Sequence, residues 1–496
     1  MGYVEGTDRN QLLLFEEKID EMIAEEHLVR FIDVYVNKID LVKLEIFNAE
    51  NKIGSPGYDP ALYLKIYIYS YLNKIRSSRK IERECKINIE LIWLTCRLSP
   101  DHWSISNFRK KNTKALKNIF KEFLRFCHKL NLLSFKLVAI DGTKLRAQNS
   151  QNNIYKKQEI DKQLEKYERK INEYIAELET NDKKEQDEFE FLNKNIPQKL
   201  RQLEKHKEKL EFVKEIFKEN PELERYFAND PDCNFQKDNG RCITGYNCQS
   251  AVDEKNKLIV AIDVTNENND SHQINNMTNK LLDTKHELEA FNNMKVVADA
   301  GYHTETELLI AFKKNEIDLF IPNPRDVKKP EKNCHEMKDL IPCKGYEKED
   351  FTYDKDNNIF ICPEKKILEQ LGNGSDKSGI QRIRYQCKNC SDCEKFNLCT
   401  TNKKGRIIDI SENFIEMEKF RDKVKSDLGK KIVQKRKELV EHPFGTIKRS
   451  LGFTYFMQTG IEKVKAEYSF ISFIYNFKRV IKIAGVGKLI EALSIN

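Results

Sequence analysis

The sequence has no stretch approaching the roughly 18 uninterrupted apolar residues of a membrane span, so a transmembrane anchor is not expected. Its first residues, MGYVEGTDRNQLLLFEE, lack the basic segment, apolar stretch and small-residue cleavage site of a secretory signal. The chain therefore reads as soluble and intracellular. In such a compartment its 13 cysteines are expected as reduced thiols or metal ligands rather than disulfides, and their odd number points the same way. No full phosphate loop or dinucleotide fingerprint occurs, and Gly485-Val486-Gly487-Lys488 is too short to be one. Net charge is nearly missing as well. The 86 basic and 79 acidic residues leave +7 over 496 positions, too weak an excess to announce a nucleic-acid partner by itself.

What is present excludes a wholly disordered chain: 39% of residues are hydrophobic, and 28 Phe and 19 Tyr supply packing material. The length favours two to four domains, since single cores rarely exceed roughly 250 to 300 residues. Residues 1 to about 50 carry helical periodicity through Leu12, Leu13, Phe15, Ile19 and Ile23, with a second pattern from Leu28 to Leu44. SPGYDP breaks the pattern, with Asp59 placed to cap a helix begun by Pro60. Three short helices are expected next. Across 61–136 there are 17 Lys or Arg against 5 Asp or Glu, a local net of +12 that fits a helical DNA-binding module. The competing reading is a basic solvated face on an ordinary bundle.

At FKLVAIDG the pattern changes to a strand ending at Asp141 and Gly142. Ile160, Leu164, Tyr167, Ile171, Tyr174 and Leu178 then form a heptad seam. A break near 181–187 and a second pattern from Leu192 to Phe217 predict an antiparallel helical hairpin, with Pro197 a local irregularity. CITGYNCQSAVD and KLIVAIDVT read as a β-hairpin, and 272–288 as a helix. KVVADAGY repeats the apolar strand ending in a carboxylate, here Asp299, and DLFIPNP is another strand. From about 325 to 410 the succession of elements lapses. Helices follow over about 411–441 and 462–484, and His442-Pro443 is expected to interrupt the first near Glu441.

Asp141, Asp299 and Glu441 stand out by position, two at strand ends and one on a late helix. Singly, each fits a cap, turn or surface charge. Jointly, three carboxylates suit Mg²⁺, which takes oxygen ligands, and two such ions can serve both oxygens of a phosphoryl transfer. His442 and His303 read as orienting or packing residues, and His102 and Trp103 as a helix start or interhelical contact. Tyr246, Asn247 and Gln249 fit either DNA contact or strand packing, whereas Cys85, Cys96 and Cys127 read as core residues.

Several long segments in order carry a resemblance: SPGYDPALYLKIYIYSYLNKIRSSRKIE, SPDHWSISNFRK, AIDGTKLRA, NDPD, GYNCQSAVDEKNKLIVAIDVTNENND, VVADAGYHT and VEHPFGTIKRSLG. They resemble bacterial insertion-sequence DDE transposases, in the subgroup with a helical N-terminal domain, a coiled-coil insertion and a Cys-rich insertion. The resemblance implies an α+β (α/β) fold with a ribonuclease H-like core. Its expected divisions are a helical DNA-binding domain over 1–130, core over 131–150, a coiled-coil hairpin over 151–228, core over 229–324, a Cys-rich insertion over 325–410, and the C-terminal part of the core over 411–496. Asp141, Asp299 and Glu441 would be the catalytic triad, holding two Mg²⁺ or Mn²⁺ ions. Accessory basic positions map to Lys448 and Arg436, while Gln434 stands where related elements often carry a tyrosine. Lys448 reads as a phosphate contact or as one more surface lysine.

The implied reaction is hydrolysis of a phosphodiester at the element's end, followed by attack of the exposed 3′-hydroxyl on target DNA. Partners would be double-stranded DNA, as terminal inverted repeats and target, and a second copy in a synaptic dimer. The expected location is the bacterial cytoplasm, at the nucleoid. Basic residues of the N-terminal motifs, Arg76, Arg79, Lys80, Arg109 and Lys110, are the candidate DNA contacts. A non-enzymatic DNA-binding protein derived from a transposase and a stand-alone nuclease are the alternatives. Cys387, Cys390, Cys393 and Cys399 have the two-residue gaps of a zinc knuckle, Cys362 offers a fifth thiol, and a redox-active or simply reduced cluster competes with structural zinc.

Overall fold

The computed structural model describes residues 18–46, 57–181, 196–238, 240–290, 293–314, 316–327, 346, 348–375 and 381–495. The periodicity through Leu12, Leu13 and Phe15, the break near 182–187 and the start of the second hairpin pattern at Leu192 lie outside these residues. The N-terminal part contains α1 (Leu28–Lys38), α2 (Pro60–Leu72), α3 (Ser78–Ile87), α4 (Ile89–Leu94), α5 (His102–Lys111) and α6 (Thr113–Lys129). Pro60 opens α2 while the Asp59 carboxylate accepts the Ala61 N–H at 2.8 Å, so the SPGYDP segment caps a helix as expected. Asp101 does the same for α5, and the ring of His102 meets Glu82 of α3 at 2.8 Å. Cys85 and Cys127 are buried, but Cys96 is exposed in a turn at φ +50°, because α4 ends before the apolar pattern would have turned it inward.

A mixed sheet follows. Its strands are β1 (Leu137–Arg146), β4 (Asn234–Asp238), β5 (Arg241–Asp253), β6 (Ile259–Thr265), β7 (Met294–Val297) and β8 (Ile317–Phe320), while the short β2 (Ile154–Lys156) and β3 (Arg225–Phe227) pair separately. β5 pairs antiparallel with β1 on one side and with β4 and β6 on the other. β7 lies parallel to β1, and β8 parallel to β7. The order is thus β6, β5, β1, β7, β8. Leu137 to Ile140 form a continuous apolar run and are all buried, as a central strand covered on both faces requires. β1 begins on a buried carboxylate: Asp253 accepts the Phe135 N–H at 2.7 Å and the Ser134 N–H at 3.1 Å.

Between β2 and β3 the chain makes α7 (Ile160–Asn181) and α8 (Ile196–Glu219). Ile160 and Leu164 pack with Leu210, Val213 and Phe217. The ion pairs Asp161–Lys214 at 2.7 Å and Glu168–Lys207 at 2.9 Å progress in opposite directions along the two helices, which fixes them antiparallel. The stretch 352–411, which carries no strand signal strong enough to read from sequence, forms an antiparallel sheet of β9 (Thr352–Asp354), β10 (Ile359–Ile361), β11 (Ile367–Ser375), β12 (Gln381–Cys387) and β13 (Ile407–Ser411). Its small core includes Phe360, Leu368, Tyr385, Cys387 and Ile408.

The remaining helices of eight residues or more are α9 (Ile274–Glu287), α10 (Glu305–Phe312), α11 (Phe414–Lys425), α12 (Asp427–Gly445), α13 (Ile461–Ala484) and α14 (Val486–Ile495). Pro443 does not interrupt α12. The helix runs on to Gly445 and then widens into a π turn over Thr446–Ser450. α13 is buried nearly all round. It packs on α6 and β6, with Asn476 bonding both the N–H and the carbonyl of Ile259. Its aromatic residues meet the N-terminal helices directly, Phe473 lying edge-on to Phe123 at 5.3 Å and Phe477 stacked on Phe31 at 4.8 Å. One continuous core therefore runs from α1 through α13 into the sheet.

Glu467 of α13 is fully buried within this core. It accepts the N–H groups of Met457 and Gln458 at 2.9 and 3.0 Å, and the charges of Arg109 and Arg76 act on it. Burial pushes its carboxyl above the usual range, and the arginines oppose that shift. Removing it strands buried cations. Glu467→Ala is expected to cost about 3–5 kcal/mol, read as a lower midpoint in chemical denaturation; an unchanged midpoint contradicts this role.

Candidate active site

The site is built by strand register. Val138 pairs with Val296 and Ala139 with Val297, so two residues further on Asp141 stands level with Asp299 on the same face. Gly142 N–H donates to Asp141 Oδ1 at 2.8 Å, and the Asp299 side chain caps the turn at Ala300–Tyr302. α12 crosses these strand ends and delivers Arg436, only 12% exposed. Its guanidinium meets Asp141 at 2.6 Å and Asp299 at 3.5 Å. One cation thus bridges both predicted aspartates.

Burial dominates the electrostatics of Asp141 and raises its carboxyl to about 6. Arg436 and the Gly142 N–H pull it down, and Asp299 and Asp270 add to the rise.

Asp270 was not among the residues singled out from sequence, although it ends the quoted segment VTNENND. Its Oδ1 accepts from Asn247 and Gln249 at 2.7 Å each and from Lys144 at 3.3 Å. Gln249 in turn accepts the buried Tyr302 hydroxyl. Asn247 and Gln249 therefore serve as internal braces of the site, and Tyr246 bonds Asp230 at 2.7 Å from the opposite face of the strand. Gly142 permits the close approach: a Cβ there would lie 2.6 Å from Gln249 Nε2 and 2.9 Å from Asp270 Oδ1.

Glu441 is not brought to the two aspartates. It lies five residues beyond Arg436 on α12, about 140° around the helix at 100° per residue, and is exposed. Among the described residues it makes no hydrogen bond or ion pair, and no three His, Cys, Asp or Glu side chains converge on a metal-binding point. Neighbouring His442 is a packing residue: its ring joins Tyr475 at 3.0 Å and Arg479 at 2.9 Å, and burial lowers its basicity. Burial likewise lowers that of His303, which lines a cavity of about 410 Å³ with Arg325 and Arg421 between the main sheet and the 352–411 sheet. Lys448, in the π turn, lies 3.5 Å from Asp238.

The candidate DNA contacts divide. Arg79, Lys80 and Lys110 are exposed on α3 and α5. Arg76 and Arg109 are buried: Arg76 donates to the Tyr455 carbonyl at 2.7 Å and stacks 4.1 Å over that ring, and Arg109 reaches Tyr71. Both serve the core, where their charges act on the buried carboxylate of Glu467. Among the cysteines, Cys387 is buried in the small sheet's core, while Cys362, Cys390, Cys393 and Cys399 line a small cavity beside it.

Two family profiles match the chain. One, described as Transposase domain (DUF772), covers residues 17–111, and one described as Transposase DDE domain covers 361–481. Together the two matches indicate an insertion-sequence DDE transposase. The DDE match includes α12 with Arg436 and Glu441, and the N-terminal match spans α1 to α5. No curated protein and no solved structure matches the chain. No helix among the described residues is long and apolar enough to cross a membrane.

Because folding raises Asp141 from 3.8 to about 6, the native state binds its proton more tightly than the unfolded chain. The stability this gives is full below about 4 and is lost as pH rises through 6. Asp141→Asn should therefore gain stability relative to wild type between pH 4 and 6 and hold that gain at pH 8, followed by thermal unfolding across the range; a pH-independent difference contradicts the shift.

Proposed function

We propose that this protein is a transposase that cuts and joins DNA by phosphoryl transfer at Asp141 and Asp299. The observation that carries the reading is that the two aspartates, Asp141 within β1 and Asp299 two residues past the end of the parallel β7, share one cationic partner. The strand order and directions, with β5 alone antiparallel to β1 and β6, β7 and β8 parallel to it, support a ribonuclease H-like core. The donor set fits a hard divalent cation, since both groups are carboxylates and already gather around a positive charge. Asp141 and Asp299 would hold the metal, with Glu441 the third ligand by family resemblance. The chemistry such ions supply is activation of an attacking water or 3′-hydroxyl and stabilisation of the leaving oxygen.

The chain's own residues prepare the site. Arg436 holds the two carboxylates together, and the Asp270, Gln249 and Tyr302 network fixes the strand beneath them. Exposed Arg79, Lys80 and Lys110 supply charge to DNA phosphates, with terminal inverted repeats and target DNA as substrates and a dimer as the synaptic form. A second reading, a DNA-binding protein with an idle core, draws on the outward position of Glu441.

Cleavage and joining of DNA carrying the element's ends, in Mg²⁺ or Mn²⁺, separates the two. Asp141→Asn and Asp299→Asn should each lose at least about 10³-fold in rate while retaining DNA binding. Unchanged cleavage in either variant contradicts the assignment, and end binding without nicking by wild type favours the idle core. Alanine at Arg79, Lys80 or Lys110 should each lower the slope of log affinity against log salt by about 1. An unaltered slope removes that residue from the interface.

A further inference from the structure

The four thiols around the small cavity come from two chain segments. Cys362 sits at the turn that joins β10 to β11, in Cys362-Pro363-Glu364-Lys365-Lys366. The Lys365 N–H returns to the Cys362 carbonyl at 2.8 Å, Lys365 takes φ +59°, and the Lys366 N–H points at Cys362 Sγ at 3.1 Å. Cys390, Cys393 and Cys399 lie in the connection from β12 to β13. There the Cys393 N–H bonds the Cys390 carbonyl at 3.0 Å, and the Arg406 N–H reaches Cys390 Sγ at 3.5 Å. A backbone N–H aimed at sulfur stabilises a thiolate more than a thiol, by charge-assisted hydrogen bonding. The cavity they line holds about 20 Å³, with Phe351 and Phe396 completing its wall.

Two features adapt the surroundings to negative charge. Arg406 lies against the cavity with its Nε buried and unpaired, and donates from its guanidinium to the Cys399 carbonyl at 3.0 Å. Gly405, at φ +101°, lets its loop press on the Cys387 carbonyl, where a Cβ would come within 2.0 Å. Cys387 pairs with Leu368 and is buried in the sheet's apolar core, its thiol beside that of Cys390 but outside the lining of the cavity.

We propose that Cys362, Cys390, Cys393 and Cys399 bind one structural zinc ion, and that Cys387 is a core residue rather than a ligand. The spacing Cys390-x2-Cys393 provides one half of a tetrahedral thiolate site, with Cys362 and Cys399 the other. The four thiols line one cavity, where a single ion would have to draw them together by rotation about their Cα–Cβ bonds. Each thiol releases its proton to solvent, so zinc and four thiols give a dianionic centre and four protons. The bond set ties the β10–β11 turn to the β12–β13 connection, fastening the small sheet across its length. This holds whether or not the carboxylate site is active.

Full-length protein expressed with zinc and purified without chelator is analysed for metal content and then alkylated with iodoacetamide before and after chelation. The expected result is one zinc per chain, with Cys362, Cys390, Cys393 and Cys399 protected until the chelator removes it. Cobalt substitution should give the intense visible band of a tetrahedral tetrathiolate. Cys387→Ala should retain zinc, and Cys362→Ser should lose it. Absence of zinc, protection that excludes Cys362, or loss of zinc in Cys387→Ala with retention in Cys362→Ser overturns the assignment. The alkylation map decides even if a variant fails to fold.

Discussion

Parallel pairing of β1 with β7 is the constraint on which the site depends. These strands have little in common in sequence beyond an apolar run that stops at a carboxylate. Their register, Ala139 beside Val297, turns that shared ending into spatial coincidence of Asp141 and Asp299. A slip of one residue would send one carboxylate to the opposite face. The register is held from both sides, by β5 along the whole of β1 and by β8 along β7. Like charges so placed repel, and the Arg436 guanidinium offsets that repulsion.

The wider fold is held by polar groups in apolar surroundings. Asp253 receives the start of β1, Asn476 locks α13 to β6, and Glu467 gathers two buried arginines from the N-terminal helices. Asp230 and Asp232 bind the N–H groups of Gly460 and Ile461, anchoring the start of α13. Each is satisfied only in one arrangement, so together they specify how the N-terminal helices sit on the sheet. The N-terminal helices and the mixed sheet consequently share one core, and a change in either is felt by the other.

Much of this was legible in sequence for local reasons. The strand runs ending at Asp141 and Asp299, the Asp59-Pro60 helix start and the seam through Ile160 and Leu164 depend on neighbouring residues alone. The fate of Arg76 and Arg109 was not legible, because an arginine near other basic residues looks like a phosphate ligand, and the buried carboxylate on which their charges act lies hundreds of positions away. Asp270 was overlooked for a similar reason: its partners, Lys144, Asn247 and Gln249, lie on two other strands. The 352–411 sheet was hidden by short strands with exposed polar faces, where alternation is weak. Pro443 lies inside α12, which continues past it for less than a turn before the π turn begins, so its residue type alone placed the break too early.

The central claim is that Asp141 and Asp299 jointly hold a divalent cation. Iron-directed cleavage tests it without knowledge of the DNA ends: Fe²⁺ replaces Mg²⁺, ascorbate and peroxide generate radicals at the bound ion, and the broken peptides are mapped. Backbone breaks are expected close to residues 141 and 299, suppressed by excess Mg²⁺ and absent in Asp141→Asn. Breaks confined to other parts of the chain, or unaltered in that variant, would contradict it.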